Sequence, residues 1–101
     1  MLTKKYLKSK PVCKVTFAIK KAEHNGAKEA FLVGDFNEWN TAETPMKKNK
    51  DGKFSVTLDL EQGKEYQFRY LLNGESWEND WAADSYVPNN LTFEENSVVA
   101  V

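Results

Sequence analysis

Three tryptophans, Trp39, Trp77 and Trp81, stand in polar, loop-like parts of the sequence rather than in its alternating apolar rows. A sugar ring presents one face of C–H groups and a rim of hydroxyls, so it stacks on a flat aromatic side chain and needs polar groups beside it. An indole in such a loop is therefore either a surface on which a sugar stacks or a plug over the edge of the core. The residue types alone leave both interpretations open.

Polar partners for a stacked sugar are also present. Arg69 and Gln67 lie on the outward row of one alternating strand, and Asn96 precedes the last apolar run. Trp39 and Trp77 would supply the aromatic faces. Burial of roughly 100 Å² of apolar surface by each stacked ring is worth about 2–3 kcal/mol. After the cost of association, this predicts a weak affinity, on the order of micromolar to millimolar.

Other chemistries leave no comparable pattern in the sequence. It contains no phosphate-binding loop, nucleophile elbow or cysteine–histidine cluster, and His24 is the single histidine. The acidic residues Glu78, Asp80 and Asp84 lack the ligand spacing of a calcium loop. As a carboxylate pair for glycoside hydrolysis they would need a deep cleft, for which a 101-residue domain has little room. We therefore predict a non-catalytic protein without metal or cofactor, in which these acids form turns and keep a loop soluble.

The composition indicates a small soluble domain, with 41% hydrophobic, 29% charged and 13% aromatic residues among 101. A formal net charge of −1 argues against a general nucleic-acid binder, which would be basic. The lone Cys13 cannot form an internal disulfide, which favours a reducing compartment. No apolar run has the length of a signal peptide or a membrane span. We therefore expect a cytoplasmic monomer that binds neither nucleic acid nor membrane.

Alternation of apolar and polar residues predicts half-buried β-strands. The inward positions are Cys13, Val15, Phe17 and Ile19 in one strand, Phe54, Val56, Leu58 and Leu60 in a second, and Tyr66, Phe68, Tyr70 and Leu72 in a third. The same alternation places Phe31, Val33 and Phe36 toward the core. Pro11 predicts that the strand it begins lies at a sheet edge.

Turn signals separate these strands at Asn25-Gly26, Asp51-Gly52 and Asn73-Gly74. Residues 97–101 form a last apolar strand. Residues 1–10 hold many lysines and few apolar anchors, which predicts a flexible basic N-terminal extension. Residues 11–101 then form a single all-β domain, an antiparallel β-sandwich of about seven strands without a convincing helix.

Several stretches together resemble the glycogen-binding module of the AMP-activated protein kinase β subunit and the N-terminal early-set domain of isoamylases and branching enzymes. They follow one another without large gaps through residues 12–101: residues 31–39 (FLVGDFNEW), 46 (M), 58–60 (LDL), 66–74 (YQFRYLLNG), 77–80 (WEND), 86–89 (YVPN) and 95–99 (ENSVV). The resemblance implies an immunoglobulin-like sandwich of the early-set type that binds α-1,4-linked glucans such as glycogen or starch.

The resemblance also implies a site made of two stacking tryptophans, one basic residue and one late asparagine: Trp39, Trp77, Arg69 and Asn96. The kinase module has a lysine at the position of Arg69, so the charge is kept while the donor geometry changes. That module also contacts sugar through a leucine and a threonine shortly before its asparagine, where this chain has residues 92–95 (TFEE) in a slightly longer loop. Trp81 and Tyr86 could replace those contacts or could pack beneath the loop.

Two functions of different classes follow. The first is non-catalytic binding of an α-glucan oligo- or polysaccharide by aromatic stacking. The second is an early-set structural or protein-interaction domain that has lost the sugar site and packs on a glucan-metabolising enzyme or kinase. For the first function we predict a carbohydrate-binding site formed by Trp39, Arg69, Trp77, Asn96, Gln67 and Trp81.

Overall fold

The computed structural model describes residues 1–24, 26–89 and 94–101. Over these residues the chain forms strands β1 (Leu2–Tyr6), β2 (Val12–Ile19), β3 (Ala30–Gly34), β4 (Lys47–Lys48), β5 (Phe54–Glu61), β6 (Glu65–Leu72), β7 (Ser76–Glu78), β8 (Ser85–Pro88) and β9 (Glu95–Ala100). Its helical elements are a one-turn α-helix, α1 (Lys21–His24), and a 3-10 helix (Asp35–Asn37). No helix in the described ranges has the length and apolarity needed to cross a bilayer.

The strands form two antiparallel sheets. One has the order β1-β2-β5-β4 and the other the order β3-β6-β9-β8, with β7 also paired to β6. The two sheets pack face to face as an immunoglobulin-like sandwich, which confirms the predicted fold class. The sequence indicated about seven strands, whereas nine are present in the described part of the chain. Strands β7 and β8 escaped prediction because they are short and mostly polar, without an apolar alternation.

The inner faces of the sheets meet in an aromatic and aliphatic core. The predicted inward row of β2 is fully buried or nearly so: Cys13, Val15, Phe17 and Ile19. The Phe17 ring packs edge-on against Phe68 with centroids 5.0 Å apart, and against Phe36 at 5.5 Å. These rings join β2 of one sheet to β6 of the other, and therefore fix the sheets together.

Strand β3 faces the opposite way to the prediction. Leu32 lies opposite Tyr70 of β6 and points into the core, whereas Phe31 and Val33 point to the outer face of the sheet. The residues of β3 are apolar on both sides, so alternation cannot decide the direction. Pairing with β6 decides it instead. Of the residues predicted to point inward here, only Phe36, which follows the strand, packs against the core.

The predicted flexible extension is also corrected. Residues 2–6 form an edge strand, with Leu2 opposite Phe17 of β2. Strand β2 therefore lies between β1 and β5 rather than at an edge. Pro11 is compatible with this position because it precedes the first residue of β2, where its missing N–H is not required by the ladder. The lysines of β1 suit a sheet edge, since charge there opposes pairing with another chain.

His24 has a structural role at the end of α1, where the sequence predicted only a turn. Its side chain is buried, and its Nδ1 accepts a hydrogen bond from the backbone N–H of Ala27 at 3.1 Å. Its Nε2 therefore carries the proton and donates to the carbonyl oxygen of Gly52 at 2.6 Å. Asn25, the first residue of the predicted turn, lies outside the described residues.

Candidate functional site

The outer face of the β3–β6–β7 region brings the predicted side chains together. Val33 lies opposite Arg69, and Leu71 lies opposite Trp77, so these residues share one face of the sheet. Leu71 and Val33 are buried although they point away from the core. Leu71, from the predicted outward row of β6, and Val33, which was predicted to point inward, thus form the floor of a surface site.

Gly34 and Asn37 shape the loop that carries Trp39. A Cβ atom on Gly34 would lie 2.5 Å from the carbonyl oxygen of Gln67, so only glycine permits this approach of β3 to β6. The buried Asn37 side chain accepts a hydrogen bond from the Gly34 N–H and donates to the Leu32 carbonyl oxygen and the Thr44 hydroxyl. These contacts hold the turn after β3 in one conformation.

Asp35 orients the Trp39 indole. One oxygen of its carboxylate accepts a hydrogen bond from Trp39 Nε1 at 2.9 Å, and the other accepts one from the backbone N–H of Gln67 at 2.7 Å. Glu38 and Trp39 both have left-handed backbone conformations, with φ of 56° and 59°. Such conformations are uncommon outside glycine and asparagine, and need support from surrounding contacts. The Asp35 bridge supplies that support and fixes the half-buried ring against β6.

A tight turn positions Trp77. Asn73 and Gly74 both have positive φ, as the predicted primed turn requires, and the Glu75 N–H donates to the Leu72 carbonyl oxygen at 3.1 Å. The Asn73 side chain also accepts a hydrogen bond from the Lys28 N–H at 2.8 Å. This turn folds β7 back onto β6, which leaves Trp77 on the outer face with 42% of its surface exposed.

Arg69 lies beneath the Trp77 ring. Its Cζ atom is 5.6 Å from the ring centroid, within the range of a cation–π contact. The residue is only 8% exposed, and its Nη2 donates to Glu94 Oε2 at 2.6 Å. Its Nε is buried and has no hydrogen-bond partner among the described residues. A buried donor of this kind is costly unless a ligand or water satisfies it.

Two adjoining grooves open on this face. The first has a volume of about 280 Å³ and is lined by Trp39, Arg69, Trp77, Asn89 and Glu94. The second, of about 370 Å³, is lined by Trp39, Gln67, Asn89 and Asn96. In the second groove, the buried Asn96 donates through Nδ2 to Gln67 Oε1 at 3.1 Å. Trp39 borders both grooves, so aromatic faces and amide groups lie along one continuous surface.

Five of the six residues predicted for the site therefore meet around these grooves: Trp39, Arg69, Trp77, Gln67 and Asn96. The sixth, Trp81, is 62% exposed but lines neither groove; its Nε1 donates to Glu78 at 3.3 Å. The Tyr86 hydroxyl donates to the Asp80 carbonyl oxygen at 2.5 Å, so it supports that neighbouring loop. Thr92 and Phe93, at which the chain departs from the kinase module, lie outside the described residues.

Sequence reasoning missed three residues of the site. Asp35 stands four residues before Trp39, a spacing that offers a weak signal for the contact between them. Asn89 was visible only as part of a resembling stretch, and Glu94 only as an acid in place of an expected sugar contact. Nothing local in the sequence indicates that Glu94 reaches Arg69, which lies 25 positions away.

The acids between β7 and β9 have structural partners rather than a purely solubilising role. The Asp80 side chain is fully buried and accepts a hydrogen bond from the Tyr70 hydroxyl at 2.6 Å. Burial, together with the charge and hydrogen bond of Asp80, holds the pKa of Tyr70 well above its ordinary value of 10.0. Asp84 pairs with Lys4 at 2.6 Å. Within the described ranges, no group of three or more His, Cys, Asp or Glu side chains could hold a metal ion.

The sequence matches the model of a known family. The family model described as carbohydrate-binding module 48 (isoamylase N-terminal domain) matches residues 23–87, well over half of the chain. The matched segment contains Trp39, Arg69 and Trp77, and it ends before Glu94 and Asn96.

Similar segments occur in larger proteins. Protein PTST homolog 2, chloroplastic, from Arabidopsis thaliana is 39% identical over 56 residues, which are 55% of this chain and 10% of that protein. The 1,4-alpha-glucan-branching enzyme, chloroplastic/amyloplastic, from Oryza sativa subsp. japonica is 36% identical over 58 residues, 50% of this chain and 7% of the enzyme. The 5'-AMP-activated protein kinase subunit beta-2 from Homo sapiens is 38% identical over 55 residues, 54% of this chain and 19% of the subunit. The chain thus spans a small part of each relative, and the resemblance inferred from its motifs is confirmed.

Proposed function

This chain belongs to the carbohydrate-binding module 48 (isoamylase N-terminal domain) family, and on that premise we propose that it binds α-1,4-linked glucan without catalysing a reaction on it. One observation carries the proposal: Trp39 and Trp77 line the same groove, and Arg69, which also lines it, lies against the Trp77 ring. Two indoles on one side of a small sandwich offer a glucan chain two stacking faces in succession.

The polar groups of the grooves suit the hydroxyl rim of a stacked glucose. Arg69 lines the first groove, and Gln67 and Asn96 line the second, so a guanidinium and two amides lie beside the aromatic faces. Both grooves are open and shallow, so the bound sugar keeps contact with water. We therefore expect the affinity to be weak, on the order of micromolar to millimolar for a short oligosaccharide.

The proposal also concerns the proteins with which this domain works. Among similar proteins are a glucan-branching enzyme and a protein kinase subunit. We propose that this domain brings a glucan-metabolising enzyme or kinase to glycogen or starch in the cytoplasm. A pull-down with amylose resin tests this: the partner should be retained only when the domain is present and the resin is not blocked by free maltodextrin.

The Trp77→Ala variant tests the binding function. Since the ring is 42% exposed, its removal should leave the fold intact. Loss of one stacking face should weaken the binding of maltoheptaose by on the order of tenfold or more. Isothermal titration calorimetry measures the dissociation constant, and a shift in tryptophan emission on titration gives an independent readout for the unmodified protein.

The Tyr6→Ala variant is the matched control, because Tyr6 is an exposed aromatic residue on β1 of the other sheet. It should bind maltoheptaose like the unmodified protein. If the unmodified protein neither binds maltoheptaose nor changes its emission, the glucan-binding proposal is wrong. Unfolding of the Trp77→Ala variant would instead show that the ring plugs the core edge.

A further inference from the structure

We infer that Glu94 makes the groove selective for uncharged glucan, because it neutralises Arg69 and so excludes sugars that carry phosphate or carboxylate groups. This inference rests on the proposed function and concerns the specificity of the same site. It starts from Glu94, which stands where the resemblance to glucan-binding modules implies a sugar-contacting side chain instead of an acid. This residue also lies beyond the segment matched by the family model.

The contact between Glu94 and Arg69 is short and partly shielded. Arg69 Nη2 donates to Glu94 Oε2 at 2.6 Å, a distance typical of a charge-assisted hydrogen bond. The guanidinium lies against the Trp77 ring and is almost fully buried, while the Glu94 side chain is 59% exposed at the groove mouth. The carboxylate therefore meets solvent in the same groove that Arg69 lines, so a ligand that approaches Arg69 also approaches a negative charge.

Without Glu94, this groove would favour anions. A guanidinium is the side chain best suited to hold a phosphate or carboxylate, and one beside an aromatic face would attract such a group on a stacked sugar. With Glu94 in place, an anionic substituent must either displace the carboxylate or lie next to a like charge. Both alternatives cost free energy. An uncharged hydroxyl avoids this cost.

The other described side chains that line the grooves add no positive charge to that of Arg69. Asn89, Gln67 and Asn96 are neutral amides, and Trp39 is held by a second carboxylate, that of Asp35. Among the described residues that line the two grooves, Arg69 is the single cation and Glu94 the single anion. The site therefore presents no net positive charge toward the sugar.

The test compares two forms of one oligosaccharide: maltoheptaose, and maltoheptaose in which each primary alcohol has been oxidised to a carboxylate. Every binding register then brings a charge near Arg69. The Glu94→Gln variant keeps an acceptor for Arg69 but removes the negative charge. Relative to the unmodified protein, it should shift the ratio of the two dissociation constants in favour of the oxidised sugar by about tenfold, a difference of about 1.4 kcal/mol.

Glu95→Gln is the matched control for the change in net charge. Glu95 adjoins Glu94 but, as the neighbour of Asn96 on β9, points to the opposite face of the sheet. Its ratio of dissociation constants should equal that of the unmodified protein. Higher salt should also reduce the discrimination of the unmodified protein against the oxidised sugar, since salt screens repulsion at an exposed carboxylate.

Two results would overturn the inference. If Glu94→Gln and Glu95→Gln give the same ratio while maltoheptaose still binds, Glu94 does not set the selectivity and the proposed function stands. If the unmodified protein fails to bind maltoheptaose, the proposed function is wrong and the inference is lost with it. Since Glu94 is mostly exposed, the variant should fold; a Glu94→Ser variant provides a second measurement of the same ratio.

Discussion

The hydrogen bond between Tyr70 and Asp80 lies inside the sandwich, where the carboxylate is shielded from solvent. Asp80 is fully buried at its side chain, and it also contacts the amine of Met1 and the backbone N–H of Ala82. Tyr70 itself is nearly inaccessible to solvent. If the carboxylate loses the Tyr70 donor, it still bears the free-energy cost of its removal from water. Loss of this hydrogen bond should therefore destabilise the fold more than loss of an exposed one.

We therefore predict that Tyr70→Phe lowers the free energy of unfolding by about 1–3 kcal/mol. Denaturant-induced unfolding at neutral pH measures the change. Tyr66→Phe is the matched control: its hydroxyl makes a long, 3.4 Å contact with the Glu61 carbonyl oxygen in an exposed setting. It should cost less than about 1 kcal/mol. Equal losses in the two variants would contradict a special role for the buried pair.

The same pair predicts a dependence on alkaline pH. Burial first, and then the charge and hydrogen bond of Asp80, hold the pKa of Tyr70 well above 10.0. The unfolded chain releases this proton near its ordinary pKa while the folded chain keeps it. The stability that Tyr70 contributes is thus complete below pH 10.0 and declines as the pH rises toward the raised pKa. The difference in stability between the unmodified protein and Tyr70→Phe should therefore shrink above this pH.

An ion pair links strand β1 to the second sheet. Lys4 donates to Asp84 Oδ2 at 2.6 Å, and the same oxygen accepts a hydrogen bond from the Ala100 N–H at 2.8 Å. Lys4 belongs to the first sheet, whereas Ala100 ends β9 of the second. Besides its ladder with β2, an edge strand with few apolar anchors is thereby connected to the opposite layer.

We predict that Asp84→Asn lowers the free energy of unfolding by about 0.5–1 kcal/mol at neutral pH. Asp59→Asn is the matched control, because the Lys14–Asp59 pair is more exposed on both sides and joins neighbouring strands of one sheet. Hydrogen exchange of the β1 amides should increase in Asp84→Asn and stay unchanged in the control. Similar exchange in both variants would show that the pair does not hold β1.

Low pH should remove the stability that the Lys4–Asp84 ion pair contributes. Burial raises the pKa of Asp84, but the Lys4 and Ala100 hydrogen bonds and the Lys4 charge outweigh burial and leave the pKa below its ordinary value of 3.8. The stability is then present above pH 3.8 and is lost as the pH falls through the lowered pKa. The difference in the free energy of unfolding between the unmodified protein and Asp84→Asn should disappear in that pH range.

One sheet separates the core of the sandwich from the grooves of the candidate site. The Phe17 ring lies in the core between the sheets, whereas the grooves open on the outer face of β3, β6 and β9. We predict that Phe17→Leu lowers the free energy of unfolding by about 1–3 kcal/mol through lost packing. Below its melting temperature, it should bind maltoheptaose within about twofold of the unmodified protein, since Phe17 lines neither groove and lies on the other side of the sheet. A parallel loss of binding and stability would contradict this separation.

Much of this architecture could be predicted from local patterns. The inward row of β2 and the turn at Asn73-Gly74 follow from period-two alternation and from the backbone preferences of glycine and asparagine. Strand β3 could not be predicted in the same way, because its residues are apolar on both faces and only its pairing with β6 distinguishes Leu32 from Val33. Strand β1 was missed because its order depends on a partner, Asp84, that is 80 positions away.

The sequence by itself determined that the chain is an all-β sandwich, and its motifs identified the tryptophans, the arginine and the asparagine of the candidate site. Only the tertiary structure decided that Trp39 and Trp77 share a groove, that Trp81 lies outside it, and that Glu94 covers Arg69. The physical reason is range. Alternation and turn preferences act between near neighbours along the chain, whereas the contacts that anchor Asp35 to Gln67 and pair Glu94 with Arg69 join residues that only the tertiary fold brings together.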